Sequence, residues 1–157
     1  MTTKRIVYTR PDGGVSVVVP APNFVAEFPD ETAAIASIRA KDVPVDATNV
    51  EVIEQAEIPT SRVFRNAWEK SGMGPPTVNM PKARIIKTDN IRVERDTRLE
   101  QADNDLKIAQ DGNNGAEQAR VRARREALRD LPITIQSDLD AITGPDELDA
   151  YEPIWPE

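Results

Sequence analysis

The sequence predicts an α+β fold. A small N-terminal module of β-hairpin, strand and short helix precedes a long antiparallel helical hairpin and an extended acidic C-terminal arm. Three observations carry this. Two β-branched runs flank a Pro-Asp-Gly-Gly turn near the start, no helix breaker interrupts residues 81–111, and Asp111-Gly112-Asn113-Asn114-Gly115 then reverses the chain. The corresponding divisions are a docking module over 1–58, a connecting helix and Pro/Gly loop over 59–80, the helical hairpin over 81–131 and the acidic arm over 132–157.

In chain order, Ile6, Val7 and Tyr8 lead into Arg10-Pro11-Asp12-Gly13-Gly14, and Val15, Val17, Val18 and Val19 follow. Pro presets the first turn angle and Gly supplies a positive φ, which makes residues 4–19 a β-hairpin. Pro20, Pro22 and Pro29 forbid regular pairing beyond it. Asp30 is placed to cap a short helix through Ile38, on which Ala34, Ile35 and Ile38 share a face. After Pro44, the segment Val50–Glu54 reads as a strand that pairs with the hairpin.

Thr60 or Ser61 is then placed to cap a helix from Arg62 to about Lys70, with Val63, Phe64, Ala67 and Trp68 on one side. The pairing of Phe64 with Trp68 reads as a core joining the first module to the hairpin. The loop 71–76 breaks this helix, and Pro81 opens the long one near its first turn. Leu99, Ala102, Leu106 and Ala109 follow at steps of 3, 4 and 3, the spacing of a coiled-coil seam. On the return helix, Ala116 to Leu131, the alanines 116, 119, 123 and 127 form a stripe that would let the two helices approach closely. Leu131-Pro132 ends it. Short pieces follow over 133–135 and 138–142. A last helix has Thr143 or Gly144 as cap, Pro145 at N1 and Asp146-Glu147 at the positive end of the dipole.

Composition narrows the function. The chain has 157 residues, no His and no Cys, so a disulfide framework, a thiolate nucleophile and the commonest metal ligand are all missing. Aromatics are only 4% against 30% charged residues, which predicts a thin core. The net charge of −7 is unevenly placed: residues 132–157 hold seven acids and no base. Such a tail repels nucleic acid and anionic membrane and suits a protein partner. The start of the chain lacks a signal-peptide pattern, and no run approaches the roughly 20 apolar residues of a membrane span. The expected place is the cytoplasm or a particle assembled there.

Arg122, Arg125 and Arg129 share a helical face, as do Arg92, Arg95 and Arg98. Acids interleave, however, as Glu94–Arg98, Arg122–Glu126, Asp89–Arg92, Glu117–Arg120 and Glu126–Arg129, and no aromatic platform lies nearby. A salt-bridged solvent face is expected, not nucleic-acid binding. Asp103-Asn104-Asp105 and Asp111–Asn114 carry oxygen ligands but miss the spacing of a calcium loop. Gly72-Met73-Gly74 is followed by Pro75-Pro76, which removes backbone donors that a phosphate loop needs. No cofactor, metal or small-molecule substrate is expected. The residues proposed to grip a protein partner are Trp155, Tyr151 and Ile154 of the arm and Leu99, Ala102 and Leu106 of the hairpin; Trp155 could equally pack on its own chain.

Several stretches together carry a resemblance. They are Ala47-Thr48-Asn49-Val50 running into Ile58-Pro59, Ser61-Arg62-Val63-Phe64-Arg65-Asn66-Ala67-Trp68-Glu69 and Val78-Asn79-Met80-Pro81-Lys82-Ala83-Arg84. Ala127-Leu128-Arg129-Asp130-Leu131-Pro132, Pro145-Asp146-Glu147-Leu148 and the Trp155-Pro156 ending complete the set. Over about residues 45–157 their order resembles small tail-fibre-associated proteins of tailed bacteriophages and prophages, and in part the phage tail assembly chaperone family. The resemblance implies a non-enzymatic virion protein, a structural or adaptor component of the tail or fibre attachment. It would be oligomeric in the assembly and partnered by other tail or fibre proteins. The alternative it implies is an assembly chaperone absent from the mature particle.

Overall fold

In the computed structural model, which describes residues 3–157, the chain divides into two compact units, residues 1–83 and 84–157. The N-terminal unit is built on a three-stranded antiparallel sheet of β1 (Lys4–Thr9), β2 (Val15–Val18) and β3 (Thr48–Glu54). The strand order is β2-β1-β3, so β1 is central and the predicted hairpin and its third strand are both present. The turn works as its residues imply. Arg10 O accepts from Gly13 N at 2.9 Å, Gly13 takes φ +81°, and Asp12 Oδ1 accepts from Gly14 N at 2.8 Å.

Alternation along β1 sends Ile6 and Val7 to opposite faces, and each face is covered. On one, Ile6 packs with Ile35 and Ile38 of α2 (Glu31–Asp42), flanked by Val18, Phe24, Val43 and Val50. Phe24 belongs to a single helical turn, α1 (Pro22–Val25), and meets Phe28 at a 5.0 Å ring separation. On the other face, Val7 packs with Val15, Ile53, Ile58 and Trp68. Asp30 caps α2, accepting from Ala33 N at 2.8 Å. This helix runs a turn beyond Ile38, because Arg39 to Asp42 contains nothing to stop it, and ends as Val43 turns extended ahead of Pro44. The β1–β3 register slips between Val7 and Thr9. Asn49 there takes φ +52°, and its amide reaches Thr9 Oγ1 at 3.2 Å.

Residues 62–70 are not the helix that their spacing predicts. Only a 3₁₀ turn forms, Arg65–Ala67, followed by β4 (Trp68–Glu69), which pairs with β5 (Thr77–Val78). Phe64 and Ala67 are fully buried and Trp68 nearly so, whereas Val63 is 47% exposed. All three are buried around the tight turn, with Trp68 against the sheet, so packing overrides helical periodicity. Trp68 sits in the core of the sheet module.

The second unit is helical. The long helix α3 (Met80–Asp111) starts where Asn79 Oδ1 accepts from Lys82 N at 3.0 Å, and spans roughly 48 Å at 1.5 Å per residue. Asn113 at φ +47° turns the chain, and Asn114 caps α4 (Gly115–Thr134), accepting from Glu117 N at 3.1 Å. The antiparallel seam joins Ala102 to Val121 and Leu128, with Leu99 and Leu106 alongside. Here the alanine expectation is overturned: Ala116, Ala119, Ala123 and Ala127 are all exposed, on the side opposite Val121 and Leu128. Larger side chains bury more apolar area, so they take the seam.

Pro132 does not end the return helix either. It lies inside α4, buried, and Ile133 and Thr134 stay helical, with Ile135 at the helix cap. Leu131 O accepts from both Ile135 N at 3.1 Å and Thr134 Oγ1 at 3.0 Å, which carries the turn past the missing donor. The short helices α5 (Gln136–Ala141) and α6 (Pro145–Ala150) follow, with Gly144 rather than Thr143 at the cap of the latter. Residues 151–157 have no regular structure.

Candidate functional site

The C-terminal segment is held against the hairpin of its own unit by cations and one ring. Arg84, one turn into α3, donates through Nε to Leu139 O at 2.9 Å and through Nη2 to Ile142 O at 2.7 Å. Lys87 Nζ donates to Asp149 O at 2.9 Å and is itself buried. Carbonyls near a helix C-terminus lack intrahelical donors and sit at the negative end of the dipole, so a cation there satisfies both. Leu139 and Leu148 are fully buried beside these contacts. The acceptors in these three contacts are backbone carbonyls, not the acids of the segment.

Of the residues expected to meet a partner, the structure brings Leu99, Ala102, Leu106 and Trp155 together in one cluster and leaves Tyr151 and Ile154 outside it. Ala102 is fully buried. Trp155 lies on this cluster, with Arg98 Cζ 4.2 Å from its ring centroid. Arg98 also donates to Glu94 Oε1 at 2.7 Å, which fixes the guanidinium over the ring. Tyr151 donates to Asp138 Oδ2 at 3.3 Å and lines a shallow apolar recess with Ala141, Ile142 and Ala150. Burial, and then the Asp138 charge, raise the Tyr151 hydroxyl above its ordinary value. Ile154 is 93% exposed.

The arginine faces are partly occupied by acids; of the expected pairs, Arg122–Glu126 and Glu126–Arg129 do not form. Arg92–Asp89, Arg98–Glu94 and Arg120–Glu117 form as the spacing predicts. Arg122 instead donates to Gln118 Oε1 at 3.3 Å. Two further pairs cross the hairpin, Arg124–Asp105 at 3.1 Å and Arg125–Asp103 at 2.6 Å. Spacing within one helix cannot reveal them, because their geometry depends on the hairpin register. They engage both aspartates of the Asp103-Asn104-Asp105 run, while Asn114 serves as a helix cap. Among the described residues no three acidic side chains converge as a metal site would require.

A polar centre in the N-terminal unit has no signature in the sequence. The Lys70 side chain is 1% exposed, and its Nζ reaches Glu51 Oε2 at 2.8 Å and the Gly74 carbonyl. Glu51 Oε2 also accepts from Gly74 N at 2.5 Å. The Lys70 hydrogen bond and then the Gly74 N–H hold the Glu51 carboxyl below its ordinary range. Thr9 Oγ1 and Asn49 Nδ2 donate to Lys70 O. The Gly72-Met73-Gly74 loop is thus tied to the sheet by a buried ion pair, which turns its backbone groups inward.

Comparison of the chain with protein-family models, with curated sequences and with solved structures finds no match.

Proposed function

We propose that the chain is a non-enzymatic protein of tailed bacteriophages, a structural or adaptor component of the virion tail or of tail-fibre attachment. It works through contacts with other tail or fibre proteins, as an oligomer within the assembly. The sequence motifs over residues 45–157 supply the phage context. The observation that carries the structural role is the filled seam. The apolar stripe Leu99–Ala102–Leu106 packs against Val121, Leu128 and Trp155 of the same chain, so it is engaged within the chain and not held open for an unfolded client. That favours a finished building block over the chaperone alternative. Exposed Ile85, Val93 and Ile108 on α3, Ile133 on α4 and Ile154 near the C-terminal end are among the apolar groups left for neighbours.

The experiment is a mass-spectrometric inventory of purified particles of a phage that encodes the protein. A fixed copy number relative to the major tail protein is expected. Absence from particles with abundance in the infected-cell lysate would replace this reading with the assembly chaperone.

A further inference from the structure

Within the N-terminal unit, the β1–β2 turn and the 3₁₀ turn at residues 65–67 enclose an open pocket of about 400 Å³. Its wall includes Arg10, Asp12, Gly14, Arg65, Trp68 and Lys82. Three cations therefore face one carboxylate, on a chain whose net charge is −7. The carboxylate is already engaged: Asp12 Oδ1 accepts from Gly14 N at 2.8 Å and from Arg10 Nε at 3.2 Å. Arg10 is held as well, its Nη1 donating to Val15 O and Ser16 Oγ, both at 3.1 Å. This fixes the guanidinium over the turn. Gly14 makes the space for it, since a Cβ built there would collide with Arg10 Nη2. Arg65 and Lys82 are exposed and have no ion pair among the described residues. What sets Arg65 and Lys82 apart from the other exposed cations is that they share one pocket with the locked Arg10 guanidinium.

We infer that this pocket is a docking site for the carboxylates of an acidic segment of a partner protein. Two features favour a carboxylate-bearing peptide over a bare phosphate. The donors are side chains spread around an opening large enough for more than one residue, and the Gly13 and Gly14 N–H groups of the turn already serve Arg10 O and Asp12. A phosphate cradle would concentrate free backbone N–H groups at one point. The inference goes beyond the tail-component reading and stands without it, because its test needs no phage particle.

The test is a titration of the full chain with tetraglutamate, blocked at both ends and carrying a neutral dye, followed by anisotropy at constant ionic strength. Saturable binding is expected for tetraglutamate and none for tetraglutamine. Replacing both free cations, R65S/K82S, should weaken binding about tenfold or more. G14A, which displaces the Arg10 guanidinium without removing its charge, should weaken it several-fold. R39S/K41S removes the same charge from α2 and should change binding less than twofold. Since Arg65, Lys82, Arg39 and Lys41 are all exposed, far-UV circular dichroism should match the parent in each case. Equal losses in R65S/K82S and R39S/K41S would overturn the assignment, as would tetraglutamine binding as well as tetraglutamate. Inorganic phosphate displacing the peptide at lower concentration than unlabelled tetraglutamate does would make this a phosphate site instead.

Discussion

In the N-terminal unit a lysine lies inside the fold with an acid beside it, whereas in the C-terminal unit Arg84 and Lys87 reach backbone carbonyls. Both arrangements satisfy cations that burial would otherwise penalise. They differ in what can undo them. The Lys70–Glu51 pair depends on the ionisation of a carboxyl, and its loss leaves a lysine with only the Gly74 carbonyl. The carbonyl contacts of Arg84 and Lys87 carry no titratable acceptor. The apolar groups diverge in the same way: the sheet unit relies on a few large side chains, chiefly Trp68 and Phe64, and the helical unit on many small contributions along a seam.

Removing the largest buried ring breaks the comparison most directly. Trp68→Ala should cost about 3–5 kcal/mol, read as a fall in the urea midpoint of the near-UV signal. A loss below about 1 kcal/mol would show that the ring is not central to the sheet module. The seam comes next. Leu128→Ala should cost about 3 kcal/mol, while Ala123→Glu, on the alanine face, should change stability by less than about 0.5 kcal/mol. If Ala123→Glu proved the more damaging, the seam would lie on the alanine side after all.

Arg84→Ala should cost about 2 kcal/mol, because it removes two charge-assisted hydrogen bonds to carbonyls. Hydrogen exchange should accelerate in residues 139–150 and stay unchanged in β1–β3; protection kept throughout would count against the clamp. Trp155→Ala, which strips a partly covered ring from the seam and its cation–π contact, should cost about 1 kcal/mol. The smallest effect is acid-dependent. Glu51 titrates below its ordinary 4.5 in the folded chain, so it adds stability above pH 4.5, and that contribution fades as pH falls through the lower folded value. Urea midpoints from pH 6 to 3 should fall less steeply in Glu51→Gln than in the parent. Parallel curves would remove Glu51 from the acid response.

What could be read from sequence was local. The Pro-Asp-Gly-Gly turn, Asp30 before α2 and the Asn113-Asn114 reversal each contain their own mechanism, and the structure places all three as expected. The failures are cases where two local readings fit and long-range packing chose between them. Val63, Phe64, Ala67 and Trp68 suit a helix face equally well, but the fold buries three of them around a 3₁₀ turn and strand. The alanine stripe is as regular as the Val121–Leu128 line, and the size of the side chain decided. The candidate pocket was illegible for the same reason, since Arg10, Arg65 and Lys82 are far apart in the chain and only the tertiary fold brings them together.

Arg84 and Lys87 find their acceptors 55 to 62 residues further along the chain. The sheet, by contrast, has all its strands once Glu54 is made. On the ribosome, the sheet can therefore pair while α3 is still being synthesised, whereas the cations at the start of α3 wait for residues 139–149 before they meet their carbonyls. A chain cut before Leu139 would leave those two side chains with their targets missing, so the C-terminal unit matures after the sheet.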